Sequence, residues 1–221
     1  MDSKQLANVI TEAVMKRLQQ DGQAPLPVRT ATSIPVGISN RHVHLALADM
    51  LVLFGSDRLT LCKDLSQPGQ FACQEKLLVA GPKGAISDVR VLGPLRAKTQ
   101  VELAPSDCVR LGIKAPVRDS GDLEDSAPLT LVGPTGTVTV KEGAIVAARH
   151  IHMQPADAGV FGCRDGERVS VRTGGSRGLV FNEVLVRVSD MFRLELHLDL
   201  DEANAAGLRN GDTVELMKES C

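Results

Sequence analysis

The sequence predicts a mainly β protein: two pseudo-symmetric small β-barrels capped by short helices, plus an N-terminal amphipathic helix on a linker. Two observations lead to this fold class: short Val-rich runs separated by glycine-containing turns, and an internal repeat. Aromatic residues make up only 2% of the 221 residues, so the cores must be built from Val, Leu, Ile and Ala. A chain of this length is long enough to bury such cores.

The apolar runs begin at Ile34 and continue almost to the end of the chain. The clearest are KLLVAGPKGAISDVRVLG, LTLVGPTGTVTV and RVSVRTGGSRGLVFNEVLVRVS. Runs of this length with turn signals between them are typical of strands in antiparallel sheets. Helical patterns are few and short, the best being LALADMLVLFG, PSDCVRLG and DEANAAGL. The last two begin at Ser or Asp caps and end at glycine.

The chain also repeats itself. NRHVHLALADMLVLFG (40–55) is similar to ARHIHMQPADAGVFG (148–162), with His42 and His150 108 residues apart. Further on, residues 87–112 are similar to residues 182–207 at an offset of 95. At that offset Glu102 corresponds to His197. The repeat predicts two related β-units.

Residues 1–20 form a segment of their own. Their apolar residues follow the i, i+3, i+4 spacing of an amphipathic helix, and residues 21–32 are a linker rich in Pro, Gly and small polar residues. The apolar face of this helix either docks on the protein's own domain or serves as an address for another protein. The segment lacks the continuous apolar region of a secretory signal.

Composition excludes several partners. The formal net charge is −2 and no Lys/Arg-rich run is present, so nothing favours nucleic acid. No apolar run reaches the roughly 18–20 residues that a membrane span needs. The five cysteines are scattered without a Cys-x-x-Cys pair, which is typical of reduced thiols in a cytosolic protein.

The chain has five histidines, and four of them form two His-x-His motifs, His42/His44 and His150/His152. On a β-strand, residues i and i+2 point to the same side, so each motif directs two imidazoles at one place. Neutral imidazole is a good ligand for zinc and similar metals. A single motif would be weak, because isolated histidines are usually structural; two in matching repeats favour a metal site.

Each repeat also has a third potential ligand on a later predicted strand. The six candidate metal ligands are His42, His44 and Glu102 in one unit, and His150, His152 and His197 in the other. Six nitrogen and oxygen ligands suit two metal ions that each keep an open position for water or substrate. Spacing alone does not distinguish zinc from other divalent metals.

Three arginines accompany the histidines. Arg41 and Arg149 directly precede the His pairs, so on a strand they point away and are expected to pair with carboxylates on the far face. Arg96 lies six residues before Glu102, on the same face if the strand is continuous. An arginine beside a metal cluster favours an anionic substrate, with phosphate the best fit to the guanidinium fork; a surface salt bridge is the alternative.

Several long motifs together resemble one known family. PVGISNRHVHL, KDLSQPGQFACQE, GPKGAISDVRVLGPLRAKTQVE, IKAPVRDSGD, AARHIHM and LDEANAAGL resemble the PduL-type phosphate propanoyltransferases. The resemblance covers roughly residues 34–216. It implies a phosphotransacylase with two β-barrels and two Zn²⁺ ions, held by the six residues that the repeat identifies. It also implies a bacterial microcompartment enzyme of propanediol utilisation.

The resemblance further implies roles for residues that spacing does not identify. Arg96 would be catalytic and bind phosphate, and CoA contacts would fall on Ser39, Lys63, Arg90, Leu92, His197 and Asn204. The barrels would interleave, with residues 33–40 and 148–221 forming domain 1 and residues 41–147 forming domain 2. Residues 1–20 would be the encapsulation peptide that binds shell or core proteins and places a homo-oligomer in the microcompartment lumen.

The implied reaction interconverts propanoyl-CoA plus phosphate with propanoyl phosphate plus CoA. We expect direct attack of metal- and Arg96-bound phosphate on the thioester, without an acyl-enzyme. Acetyl-CoA is a close competitor because one methylene is worth only about 1–3 kcal/mol of discrimination. A two-metal hydrolase of thioesters or phosphoesters with the same ligands, and a non-catalytic metal-binding scaffold, are the alternatives.

Overall fold

The computed structural model describes residues 33–217, which include 14 β-strands and four short α-helices. The predicted targeting helix 1–20 and linker 21–32 lie outside the described residues. The strands are β1 Ser33–Ser39, β2 His42–His44, β3 Leu61–Asp64, β4 Phe71–Gly81, β5 Gly84–Gly93, β6 Gln100–Glu102, β7 Val117–Arg118, β8 Ala127–Val132, β9 Thr137–Ala147, β10 His150–Met153, β11 Arg168–Arg172, β12 Val180–Val188, β13 Glu195–Asp199 and β14 Thr213–Met217. The helices are α1 Leu47–Phe54, α2 Pro105–Leu111, α3 Pro155–Phe161 and α4 Leu200–Ala206.

The strands close into two six-stranded barrels, which confirms the predicted fold class. Barrel 1 has the order β1-β13-β10-β12-β11-β14 and closes through the pair β1–β14. Barrel 2 has the order β9-β6-β2-β5-β4-β8 and closes through the pairs β4–β8 and β8–β9. Strands β3 and β7 extend barrel 2 at β4 and β9. The two barrels therefore have the same strand order, as the repeat predicts.

The expected antiparallel pairing is only part of the pattern, because each barrel mixes both directions. β1 runs parallel to β13 and β10 to β12 in barrel 1, while β2 runs parallel to β5 and β6 to β9 in barrel 2. Parallel neighbours need crossover connections rather than tight turns. The short apolar runs give strand positions without giving these directions.

Each barrel has its own apolar core. Alternation places Ala127, Leu129 and Leu131 of β8 inside barrel 2, while Val184 and Val186 of β12 lie inside barrel 1. Apart from Gln100, the largest fully buried side chains are Leu, Ile and Met, as the scarcity of aromatic residues requires. We propose that each barrel with its two helices forms one of the two predicted domains.

Local details repeat along with the strands. Asp88 in β5 and Glu183 in β12 have positive φ values of 58° and 57°, where non-glycine residues are uncommon. They lie 95 residues apart, and register shifts interrupt the β4–β5 and β11–β12 pairings. The same unusual backbone at equivalent positions supports the pseudo-symmetry independently of the histidines.

The three expected helices are present as α1, α2 and α4, whereas α3 was not predicted. Helix α3 begins at Pro155, and Gly162 follows it in the left-handed conformation. Proline at the first turn and glycine after the last residue are ordinary helix signals. The helix has only seven residues and contains Gly159, which weakens the periodic pattern. None of the helices in residues 33–217 is long and apolar enough to cross a membrane.

Candidate metal centre and active-site cleft

The structure brings the six predicted ligands together as two triads. Triad 1, in barrel 1, consists of His150, His152 and His197, and triad 2, in barrel 2, consists of His42, His44 and Glu102. Within each triad the ligand atoms lie within 4.8 Å of one another. His150 pairs with His197 across β10–β13, just as His42 pairs with Glu102 across β2–β6. Strand pairing therefore adds the third member to each His-x-His motif.

The backbone fixes the first histidine of each motif. His42 Nδ1 donates to the carbonyl oxygen of Asn40, and His150 Nδ1 donates to that of Ala148, each at 2.8 Å. These bonds assign the proton to Nδ1 and leave the Nε2 lone pair available. A backbone acceptor on the remote ring nitrogen is the usual support for a metal-binding histidine.

The second histidine of each motif has an unsatisfied nitrogen. His44 Nδ1 and His152 Nδ1 are buried and have no hydrogen-bond partner among the described residues. Buried polar atoms are normally paired, so each such atom requires an explanation. A borderline metal ion coordinated by imidazole would provide one, and the donor set of each triad fits zinc.

Electrostatics keep most of these imidazoles neutral, which is the form that binds metal. Burial, together with the positive charges of His42 and Arg96, lowers the pKa of His44 to about 3. Burial and His197 lower the pKa of His150 to about 4, and burial with His150 and His197 lowers that of His152 to about 2. Such rings need not lose a proton before they coordinate an ion near pH 7.

Triad 2 differs because it contains a carboxylate. Burial lowers the pKa of His42, but the charge and hydrogen bond of Glu102 outweigh it, so the pKa is raised. Burial raises the pKa of Glu102, but His42 and His44 outweigh it and hold the pKa below its usual value. Glu102 Oε2 lies 3.4 Å from His42 Nε2. Both residues belong to the triad whose potential ligand atoms lie within 4.8 Å of one another.

All six residues line one cleft of about 1080 Å³, to which both barrels contribute. A cleft of this size accommodates a cofactor-sized ligand. Its lining also includes the polar residues Arg96, Ser120, Arg187 and Glu195. Among residues 33–217, the two triads therefore share a single site.

Arg96 reaches the cleft by a different route from the one that its spacing predicts. Strand β6 covers only Gln100–Glu102, so no continuous strand joins Arg96 to Glu102. Instead Arg96 forms an isolated parallel bridge with Ala46, two residues after His44. Its Nη1 atom donates to Ser120 Oγ at 3.1 Å, and Ser120 Oγ donates to Glu102 Oε1 at 3.0 Å. The arginine is thereby linked to triad 2.

The arginines before the His-x-His motifs form ion pairs with helix carboxylates, as expected. Arg41 Nη2 lies 2.8 Å from Asp107 of α2, and Arg149 Nη1 lies 3.1 Å from Glu202 of α4. Asp107 and Glu202 are themselves 95 residues apart. The ion pairs thus belong to the repeat and attach each helix to its barrel.

Five of the six residues that the resemblance assigns to CoA line the cleft. They are Ser39, Lys63, Arg90, Leu92 and His197. Asn204 lies on the exposed side of α4 and is not among the residues that line it. Their role in CoA binding stays a prediction.

The sequence patterns did not identify Arg187, Glu195 or Ser120 as residues of the cleft. Arg187 pairs with His152 across β12–β10 and, in the described part of the chain, has no ion pair. Its guanidinium carbon lies 5.8 Å from the centre of the Phe192 ring, which contacts His152. Glu195 Oε2 lies 2.9 Å from His197 Nε2. The signal for Glu195 was its position two residues before His197, on the same strand face.

The fold and site define a two-barrel protein with a candidate two-metal centre in a shared cleft, and sequence comparison places it among the acyltransferases. Residues 35–209 match the family model described as phosphate propanoyltransferase, so the chain belongs to that family.

Three curated relatives show the extent of the match, and all are named phosphate propanoyltransferase. The protein from Thermotoga maritima is 47% identical over 212 residues, covering 95% of this chain and 100% of that one. The protein from Rhodopseudomonas palustris is 50% identical over 84% of this chain and 83% of its own. The protein from Shewanella putrefaciens is 48% identical over 87% and 92%.

Proposed function

We propose that the chain interconverts propanoyl-CoA and phosphate with propanoyl phosphate and CoA at a dinuclear zinc site. The observation that supports the dinuclear site is the convergence of two triads on one cleft that also contains Arg96. Family membership supports the acyl transfer to phosphate.

Triad 1 would hold one ion and triad 2 the other. Two bound divalent ions would supply positive charge for the phosphate and for the oxygen that becomes negative as the thioester reacts. Zinc is the proposed metal because imidazole nitrogens with one carboxylate are ligands that it prefers.

Arg96 would bind and orient the attacking phosphate. Burial lowers the pKa of Arg96, while Glu102 opposes that effect, and the guanidinium is a charged donor in the cleft. A second arginine, Arg187, faces the same space from the opposite barrel. Two guanidinium groups would hold the phosphate between the barrels, with one oxygen directed at the thioester carbonyl carbon.

The reaction needs no covalent enzyme intermediate. A phosphate oxygen forms the new bond to the acyl carbon, the carbon–sulfur bond breaks, and the electron pair leaves with the CoA thiolate. None of the four described cysteines lines the cleft. We therefore propose direct attack, which requires both substrates to be bound together and gives intersecting double-reciprocal lines.

A coupled assay tests this function directly. Release of CoA from propanoyl-CoA and acetyl-CoA is followed with and without phosphate, and the product is trapped as acyl phosphate. We expect phosphate-dependent release, stoichiometric acyl phosphate, and loss of both after chelation. CoA release without phosphate would instead identify the hydrolase, and parallel double-reciprocal lines or a trapped acyl-protein would contradict direct attack.

The N-terminal segment supports a separate proposal about location. Residues 1–20 would act as an encapsulation peptide that brings a homo-oligomer into the lumen of a bacterial microcompartment. Its amphipathic spacing supports this role. Removing residues 1–20 should leave turnover unchanged while abolishing co-sedimentation with shell or core proteins and reducing the apparent size on gel filtration.

A further inference from the structure

The third ligand of each triad has a polar neighbour two residues earlier on its strand. We infer that these neighbours, Gln100 in barrel 2 and Glu195 in barrel 1, are pseudo-equivalent positioning residues whose hydrogen-bonding type is matched to the ligand beside them. An amide donor supports the carboxylate Glu102, and a carboxylate acceptor supports the imidazole His197. The inference rests on the proposed metal centre.

The two positions correspond in the fold as well as in the sequence. Gln100 and Glu195 lie 95 residues apart, the offset that relates Glu102 to His197. Gln100 pairs with His44 across β2–β6, and Glu195 pairs with His152 across β10–β13. Residues at i and i+2 share a strand face, so each neighbour points to the same side as its ligand.

In barrel 2 the amide orientation is determined by its contacts. Gln100 Oε1 accepts from the backbone N–H of Gly121 at 2.8 Å, so Nε2 must face the other way. That nitrogen donates to Glu102 Oε1 at 2.6 Å and to Ser120 Oγ at 2.9 Å. Gln100 is only 1% exposed. A buried donor thus holds the carboxylate of triad 2 in place.

In barrel 1 the polarity is reversed. Glu195 Oε2 lies 2.9 Å from His197 Nε2 and accepts from Ser66 Oγ at 2.5 Å and Gln67 Nε2 at 3.1 Å. His197 Nε2 is buried and has no hydrogen bond among the described residues, so this carboxylate, at ion-pair distance, is the acceptor within its reach. A carboxylate on the remote ring nitrogen orients a ligating histidine and increases its basicity.

The packing around Glu195 leaves space for this arrangement. A Cβ atom on Gly37 of β1 would lie 2.7 Å from the Glu195 carboxyl carbon, which is too close. Only glycine at position 37 lets the carboxylate lie beside His197 without displacement.

Glu195 also contacts Gln67, which connects the two barrels. The experiment must separate this structural contact from the support of His197. Gln67 donates to the backbone oxygen of Arg193 at 2.9 Å and accepts from its N–H at 3.1 Å. These bonds join the β3–β4 loop of barrel 2 to barrel 1. If Glu195 served only this connection between the barrels, replacing it would lower the free energy of unfolding and leave zinc affinity unchanged.

A double-mutant cycle at Glu195 and His197 tests whether the two side chains must match in hydrogen-bonding type. Zinc affinity is measured by competition with a chromophoric chelator, and zinc content per chain is measured alongside. Glu195→Gln should weaken the binding of one of the two zinc ions by about 10–100-fold. His197→Glu should weaken that binding further, because the introduced carboxylate would then face the carboxylate of Glu195. The double variant recreates the Gln–Glu pair of barrel 2 and should recover at least about tenfold relative to His197→Glu.

Gln67→Ala is the matched control, because it removes the bonds to Arg193 and one bond to Glu195, while Ser66 still holds Glu195 beside His197. It should keep zinc affinity within about threefold of the unmodified chain, a change of less than about 0.7 kcal/mol. Thermal unfolding is recorded for every variant. The comparison of Glu195→Gln with Gln67→Ala decides the question even if His197→Glu does not fold.

Three results would overturn the inference: full zinc affinity in Glu195→Gln, no recovery in the double variant, or equal loss in Gln67→Ala and Glu195→Gln. Failure of the proposed function looks different. The unmodified chain would then bind fewer than two zinc ions or form no acyl phosphate, whatever the variants do.

Discussion

The two triads have the same backbone geometry but different chemistry. Triad 2 is buried throughout and contains the carboxylate of Glu102, whereas triad 1 has three imidazoles, two of which are only partly buried. With a divalent ion in each, triad 2 would have a net charge of about +1 and triad 1 about +2. The repeat thus keeps the backbone geometry of the two triads, while the residue at the third position makes triad 1 less negative and less buried than triad 2.

The largest effect should come from deleting one ligand in each half. His42→Ala and His150→Ala should each reduce zinc content from two ions per chain to one. Turnover should fall by more than about 100-fold, because loss of a supporting residue alone costs about 10–100-fold in affinity or activity. Metal analysis, circular dichroism and the acyl phosphate assay measure these effects. Full activity in either variant with chelator present would refute the site.

The next largest effect should be on the KM for phosphate, and it should differ between the arginines of the two barrels. Arg96→Ala removes charge-assisted hydrogen bonds worth about 1.5–3 kcal/mol, so the KM for phosphate should rise by about 10–150-fold. Arg187→Ala should raise it less, about 3–10-fold, since cation–π stacking on Phe192 already occupies that guanidinium. Arg110→Ala, on the exposed side of α2, is the control. A normal phosphate dependence in Arg96→Ala would remove Arg96 from the mechanism.

The ion pairs behind the triads should differ in stability. The Asp107 side chain is 5% exposed and the Glu202 side chain 24%. Arg41→Ala should therefore cost about 1–3 kcal/mol, because it leaves a buried carboxylate without its cation. Arg149→Ala should cost about 0–1 kcal/mol, since water can replace part of its interaction with Glu202. Urea unfolding of both variants measures the free energies, and the reverse order would contradict this comparison.

The smallest effects should concern CoA. Lys63 is exposed at the cleft, so Lys63→Ala should raise the KM for propanoyl-CoA by about 2–5-fold in a salt-dependent way. Asn204→Ala should change it by less than about twofold, because Asn204 lies outside the cleft lining. The KM for phosphate should stay constant in both. A larger loss for Asn204 would show that bound CoA extends over α4.

Sequence patterns predicted most of the site because the repeat reduced the problem to matching positions. His-x-His on a strand, and the offset that relates Glu102 to His197, identified all six members of the triads. Helix α3 was missed because seven residues with an internal glycine give little periodicity. Arg96 was expected to share a strand face with Glu102 if that strand were continuous; the strand is not, although the Arg96 side chain still lines the cleft.

The remaining members of the site depend on long-range packing. Arg187 and Ser120 belong to segments whose local pattern predicts only a strand and a loop. In the sequence, Glu195 is one more polar residue of an alternating strand. Its role follows only from its contacts with Ser66 and Gln67 of the other barrel. Such contacts join residues about 130 positions apart, and no local pattern encodes them.

By itself, the sequence determined the β class, the repeat and the residues able to bind metal, because strand periodicity and ligand chemistry are local properties. The tertiary structure decided the parallel strand pairs, the closure of both barrels and the single cleft that unites the triads. It also decided which polar side chains support each ligand. These features depend on how distant strands pair and on which donors and acceptors remain to be satisfied once the cores are buried.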